Sequence, residues 1–164
     1  MAFGALFVLA LRGTLVAGML SLAACAGAPQ YRLNDGTVYP FGPDKAVVHR
    51  LSRLQSEGDG VVRGAVVFIE FRDLDEETCR GVGDLEVALV VSGREPQSKR
   101  LNLDSTSENN ARWNRALRMY EVLFTIDPPL VGGKLPAVRV DLRWTCGTKP
   151  AVMDSAQLDA LPAQ

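Results

Sequence analysis

The sequence predicts an all-β protein: an antiparallel β-sandwich, immunoglobulin-like or transthyretin-like in style, with a partly open barrel as the alternative. Three observations carry this. Apolar and polar residues alternate with period two through five segments between residues 64 and 146, the pattern of strands with one face on a core and one in water. Turn-forming residues punctuate these segments at short intervals. No stretch of ten or more residues between them carries a helical apolar stripe, so βαβ units are not expected.

The chain begins with an apolar stretch, residues 1–24, in which Arg12 is the only charge. A membrane-spanning helix needs about 20 apolar residues in a row, and Arg12 divides the stretch into Met1–Leu11 and Gly13–Ala24. The second piece follows a cation and ends in small residues, the proportions of a secretory signal. The first puts apolar residues where a charged leader belongs, which points to synthesis starting near Leu11.

Leu22-Ala23-Ala24-Cys25 follows, an aliphatic residue, two small residues and a cysteine. The run resembles the lipobox of bacterial lipoproteins. The resemblance implies that the Cys25 thiol is alkylated with diacylglycerol, that a signal peptidase cuts just before it, and that the new amino group is acylated. The chemistry suits the residues, because a thiolate is a good nucleophile for a thioether and two or more acyl chains anchor stably. An ordinary signal peptide cut after Ala24 is the alternative. Ala26, not Asp, follows the cysteine, so the resemblance implies an outer-membrane protein facing the periplasm and held on the lipid bilayer through Cys25, with the inner membrane or the cell surface as alternatives. The likeness spans residues 12–25 and is silent on the rest.

Residues 25–43 mix Gly, Pro and small residues without a period and read as a tether, with Tyr31, Tyr39 and Phe41 expected to dock on the domain that follows and a partner as the alternative. That domain is expected over 44–150. "KAVVHRLSRLQ" is either a strand or a short helix, and "SEGDG" is a turn. The inward sets are then Ala65, Val67, Ile69 and Phe71; Leu85, Val87, Leu89 and Val91; Leu101 and Leu103; Tyr120, Val122, Phe124 and Ile126; and Val138, Val140, Leu142, Trp144 and Cys146. "SGREPQ" fits a hairpin loop, and "PPLVGGKLP" a hairpin tip between the last two strands. The tail, 151–164, is expected to hold one or two helical turns starting at Asp154 or Ser155 and stopped by Pro162.

Without Cys25, two cysteines are left, Cys79 and Cys146. In an oxidising compartment they are expected to form a disulfide, closing a loop worth roughly 4 kcal/mol. Two free thiols are the alternative, and a metal site with His49 fits no zinc spacing.

The charge balance argues for partners by exclusion. With 18 Lys and Arg against 19 Asp and Glu, scattered along the chain, there is no basic stripe for nucleic acid. "VGGKLP" lacks the upstream Gly and the Ser/Thr of a phosphate cradle, and no cofactor is expected. His49 is the only histidine and has no nucleophile motif beside it, so catalysis there is not expected. Asp73, Asp75, Glu76 and Glu77 offer oxygens for Ca²⁺, but their spacing is not an EF-hand loop, and a solvated loop is the simpler outcome. Trp113 stands among Arg112, Arg115 and Asn residues before a strand. Trp and Arg dominate interface hot spots, which makes Arg112, Trp113 and Arg115 the candidate partner contact. The expected role is thus a non-catalytic binding or assembly module for another envelope protein. A periplasmic enzyme or a small-ligand or calcium binder is the alternative.

Overall fold

The computed structural model describes residues 31–32, 38–39, 42–56, 60–132 and 135–159. The signal region, Cys25 and most of the tether lie outside them. In chain order the strands are β1 (Tyr31–Arg32), β2 (Val38–Tyr39), β3 (Lys45–Val48), β4 (Arg53–Ser56), β5 (Val62–Arg72), β6 (Thr78–Cys79), β7 (Asp84–Val91) and β8 (Gln97–Asn102). A short helix, α1 (Thr106–Arg112), follows, then β9 (Trp113–Asn114), β10 (Met119–Leu130), β11 (Val138–Thr145) and β12 (Val152–Gln157). Among the described residues no helix is long and apolar enough to cross a membrane.

Apart from the small β1–β2 pair, the strands form two antiparallel sheets. β5 is the axis of the first. β3 and β4 share one of its edges, from Lys45↔Arg72 to Ser56↔Val62. β10 runs along the other edge, from Tyr120↔Ile69 to Thr125↔Gly64, and β6 caps that edge with Phe71↔Cys79. β9 pairs with β10 at Tyr120↔Trp113 and Met119↔Asn114 only. The second sheet runs β12-β11-β7-β8. Every inward residue expected from the alternation is buried between the two sheets, so the sandwich is the observed architecture.

Four local expectations are corrected. "KAVVHRLSRLQ" is neither one strand nor a helix, but β3 and β4 separated by a turn that Ser52 N–H closes on His49 O at 2.9 Å. "PPLVGGKLP" is not a hairpin tip, because β10 and β11 belong to different sheets and the segment crosses between them. The tail is not helical: "VMDSAQ" is β12, paired with β11 from Val152↔Trp144 to Gln157↔Arg139. Asp154, the expected helix cap, instead accepts Val48 N–H at 2.8 Å. Leu54 N–H reaches Asp159 O at 3.3 Å, so β12 closes the seam between the sheets and tertiary pairing overrides local propensity. Finally, Cys79 and Cys146 are free. Cys79 lies in the first sheet and Cys146 just past the last residue of β11 in the second. The pair expected from the sequence is therefore not joined, although both side chains are withdrawn from solvent, Cys146 in the core and Cys79 packed against it.

The chain changes sheets between β6 and β7 through Arg80–Gly83, and the two glycines there are forced. A Cβ on Gly81 would lie 2.7 Å from Leu103 Cδ1 and 2.7 Å from Phe71 Cε2. Gly83 has φ +89° and its Cβ would stand 2.2 Å from Thr145 O. Gly93, in the β7–β8 turn, has a similar φ of +80° with nothing within 4 Å of its Cβ position. Left-handed backbone strain alone therefore predicts a loss of about 1–2 kcal/mol for Gly93→Ala. Gly83→Ala adds a backbone clash, for a loss of at least about 3 kcal/mol. Urea unfolding of the two variants measures the difference, and equal losses would refute the close approach at Gly83.

Candidate functional site

Helix α1 begins at Ser105, whose hydroxyl accepts Glu108 N–H at 3.5 Å, and ends at Trp113, already extended at φ −80°, ψ 111°. What stops it is the pairing of Trp113 with Tyr120 on β10. The half-buried Trp113 ring meets Tyr120 edge-on at 5.1 Å, and the Arg80 guanidinium stands 5.1 Å over its face, a cation–π contact of order 1 kcal/mol. Where the helix departs from the sheet it leaves a notch of about 290 Å³, lined by Ala111, Arg112, Trp113, Asn114, Glu121 and Leu123. Two of the three residues nominated from the sequence, Arg112 and Trp113, come together there. Arg115 does not line the notch and lies exposed in the β9–β10 turn.

Leu123 escaped the sequence reading. It sits in the outward phase of β10, between Glu121 and Thr125, and is 47% exposed. Its neighbours on that face were also passed over: Val66, Phe68 and Met119 form a second buried cluster, apart from the main core, with the Arg53 guanidinium 5.9 Å over the Phe68 ring. The signal was present. From Ala65 to Ile69 both phases of β5 are apolar, and a strand apolar on both faces is covered on both faces.

The acidic run folds on itself. Asp73 Oδ1 accepts the amides of Asp75 and Glu77, both at 3.0 Å, and Glu76 pairs with Lys45 and with Arg72. Asp75 and Glu77 are exposed. Among the described residues no group of three or more His, Cys, Asp or Glu is placed to hold a metal ion. Beside the run lies a carboxylate not foreseen, Glu70, on the outward phase of β5. It accepts from Arg72 Nη2 at 2.9 Å and from Thr78 Oγ1 at 3.0 Å. Burial alone raises its pKa, but the hydrogen bonds from Arg72 and Thr78, with the Arg72 charge, outweigh burial and hold it below the ordinary 4.5.

His49 stands at the seam, on a concavity of about 680 Å³ walled by Val48–Arg53 and Ala156–Asp159. Its Nδ1 accepts Leu51 N–H at 3.3 Å. The hydroxyl in the same wall, Ser52 Oγ, is committed to the Phe68 backbone, accepting its N–H at 2.9 Å and donating to its carbonyl at 3.2 Å. The pair is therefore not arranged as nucleophile and base. The Cys79 thiol is pushed up to about 11 by burial, with the Asp73 charge adding to it, and burial also raises Cys146. Neither is a poised thiolate. No protein family, no curated protein and no solved structure matches this chain.

Two outcomes follow from these groups. Alkylation of the unfolded, unreduced protein should label both Cys79 and Cys146, while folded Cys79 reacts slowly near neutral pH. A Cys79–Cys146 linked peptide in a non-reducing digest would contradict the free thiols. Glu70 ionises more easily folded than unfolded, so its stabilisation is present in full above pH 4.5 and fades as pH falls below that value. Glu70→Gln should be less stable than wild type near neutral pH, and the gap should close in acid; a gap independent of pH would remove the ion pair with Arg72 from the account.

Proposed function

We propose that this chain is a non-catalytic binding or assembly module of the cell envelope, lipidated at Cys25, held in the outer membrane facing the periplasm, and docking onto another envelope protein. The observation that carries the docking half is the notch beside α1. It brings a half-buried Trp, an exposed Arg and a half-exposed Leu to one place at the margin of a rigid sheet. Arg and Trp are enriched among residues that anchor protein interfaces. The anchoring half rests on the lipobox-like run Leu22-Ala23-Ala24-Cys25.

A second reading, a small-ligand-binding lipoprotein, draws on the His49 concavity of about 680 Å³, a size within the range of small-molecule sites. That concavity is walled by both sheets but converges few polar groups on one point.

The two halves are tested separately. Labelled palmitate should enter the wild-type protein and be absent from Cys25→Ser, which should also leave the membrane fraction; an unlabelled wild type sinks the anchor. Trp113→Ala should reduce the yield of one reproducibly crosslinked envelope protein by about tenfold, the loss expected for a hot-spot residue worth over 1 kcal/mol. An unchanged yield moves the contact elsewhere on the surface.

A further inference from the structure

Beyond the residues that β9 covers, Met119 and Tyr120, one edge of β10 is open. Val122–Thr125 pair with β5 on one side, and among the described residues no strand pairs with them on the other. Past Thr125 the register with β5 shifts, across Pro128 and Pro129, which have no N–H to offer. Every second residue of such an edge turns its N–H and C=O outward, a template for a further strand.

Two cations flank this edge. The sheets are clasped at β3 and β12, so their opposite margins, β10 and β8, come to the same side of the sandwich. There Arg94, in the β7–β8 turn, donates to Pro128 O. Lys99, in the inward phase of β8 with Leu101, holds its ammonium 5.5 Å from the centroid of the Phe124 ring. An inward-turned lysine guards an edge, because an apolar strand laid along it would bury the ammonium without a counter-ion. A carboxylate on the same face of the added strand removes that penalty, so the guard becomes a selector. At the other end exposed Arg112 lines the notch with Glu121 and Leu123. Among the described residues neither Lys99 nor Arg112 has an acidic partner. β9 keeps an added strand from running on past Glu121, so the strand terminates in the notch. Antiparallel to β10 it terminates there in its C-terminal carboxylate, a good partner for a guanidinium; parallel, it would bring its ammonium beside Arg112.

We propose that the β10 edge receives the C-terminal segment of the partner protein as an added antiparallel strand, with its free carboxylate at Arg112, an apolar residue opposite Leu123 and an acidic residue opposite Phe124. This rests on the docking role argued for the notch and names the chemistry of the occupant. Backbone hydrogen bonds supply the ladder. Leu123, 47% exposed, gains an apolar cross-strand neighbour, and the two cations set direction and register.

The test uses the full chain, extracted from its membranes in mild detergent, with the photoreactive residue p-benzoylphenylalanine at Thr125, which is exposed beside the edge. The probe is the pentapeptide Val-Thr-Glu-Val-Val, biotinylated at its N-terminus and free at its C-terminus. In the proposed register its glutamate lies opposite Phe124 and the next valine opposite Leu123. Light should attach biotin to the protein saturably, and the same photoreactive residue at Arg143, on the outer face of the second sheet, should capture none. Amidating the C-terminus, or exchanging the peptide's glutamate for glutamine, should each raise the half-saturating concentration about tenfold. Lys99→Glu should abolish capture of this peptide and allow capture of one with lysine in the glutamate's place, which separates a lost site from lost folding. Equal capture of the free and amidated peptides overturns the C-terminal end of the proposal, and failure of the charge exchange overturns the register. A doubled product of two protein copies in place of peptide capture, capture from Arg143 as strong as from Thr125, or no capture at all overturns strand addition. The docking role stands or falls separately, on the Trp113→Ala crosslinking yield.

Discussion

The sandwich depends on how its chain crosses the interior at Gly81–Gly83. A backbone that changes sheets through a core has no ladder to bond to, and each buried N–H or C=O left alone costs about 1–3 kcal/mol. Side chains from other elements, with one backbone amide, take the place of a ladder. Tyr120 Oη accepts Gly81 N–H at 3.1 Å, Asn109 Nδ2 donates to Gly81 O at 2.8 Å, and Trp144 Nε1 donates to Val82 O at 2.6 Å. Asp104 Oδ1 accepts Gly83 N–H at 2.7 Å, and Leu103 N–H donates to Gly83 O at 2.8 Å. The rings that carry two of these groups pack edge-on to Phe71, Tyr120 at 5.5 Å and Trp144 at 5.3 Å. One short crossing thus ties β10, β11, α1 and the turn before the helix to a common point.

Asn109 carries that constraint outward. It is fully buried, and its second Nδ2 hydrogen goes to Leu103 O at 2.7 Å while its Oδ1 accepts from Tyr120 Oη at 2.7 Å. A seven-residue helix is too short to be stable alone; α1 is held by this side chain. Its last residue, Arg112, and the Trp113 that follows inherit the placement, so the notch is positioned through the same hydrogen bonds as the crossing. The two outer faces of the sandwich diverge accordingly. The second sheet turns Glu86, Arg100, Arg139 and Asp141 to water, with Arg139 paired to Asp141 at 2.7 Å and Arg100 to Glu86 at 3.5 Å. The first turns out Val66, Phe68, Met119 and Leu123.

The sequence disclosed what obeys a short period and concealed what depends on distant partners. The long strands were legible because each holds four or more residues in clean alternation, and even the inward placement of Cys146 followed from its phase with Trp144. β12 was not, because Asp154 and Ser155 have the composition of a helix start, and only the open edge of β11 and the amide of Val48 make them a strand. The disulfide was not found for a related reason: cysteine parity says nothing about where in the fold each residue comes to lie. At the notch, residue type singled out Arg112 and Trp113. Leu123 was hidden by attention to the inward set alone, and Glu70 by its need for Thr78, which reaches it only after the chain has turned back through the acidic loop.

The clasp of β12 on β3 bears on how the molecule is made. β3 is the first strand of the sandwich to leave the ribosome and β12 the last, with the whole domain between them. The Asp154 carboxylate that receives the Val48 amide, and the Asp159 carbonyl that receives that of Leu54, do not exist for the nascent chain until every other strand has been synthesised. A protein whose closing seam is written at the end of its message stays unlatched throughout its synthesis, and locks only when the last strand is free to pair.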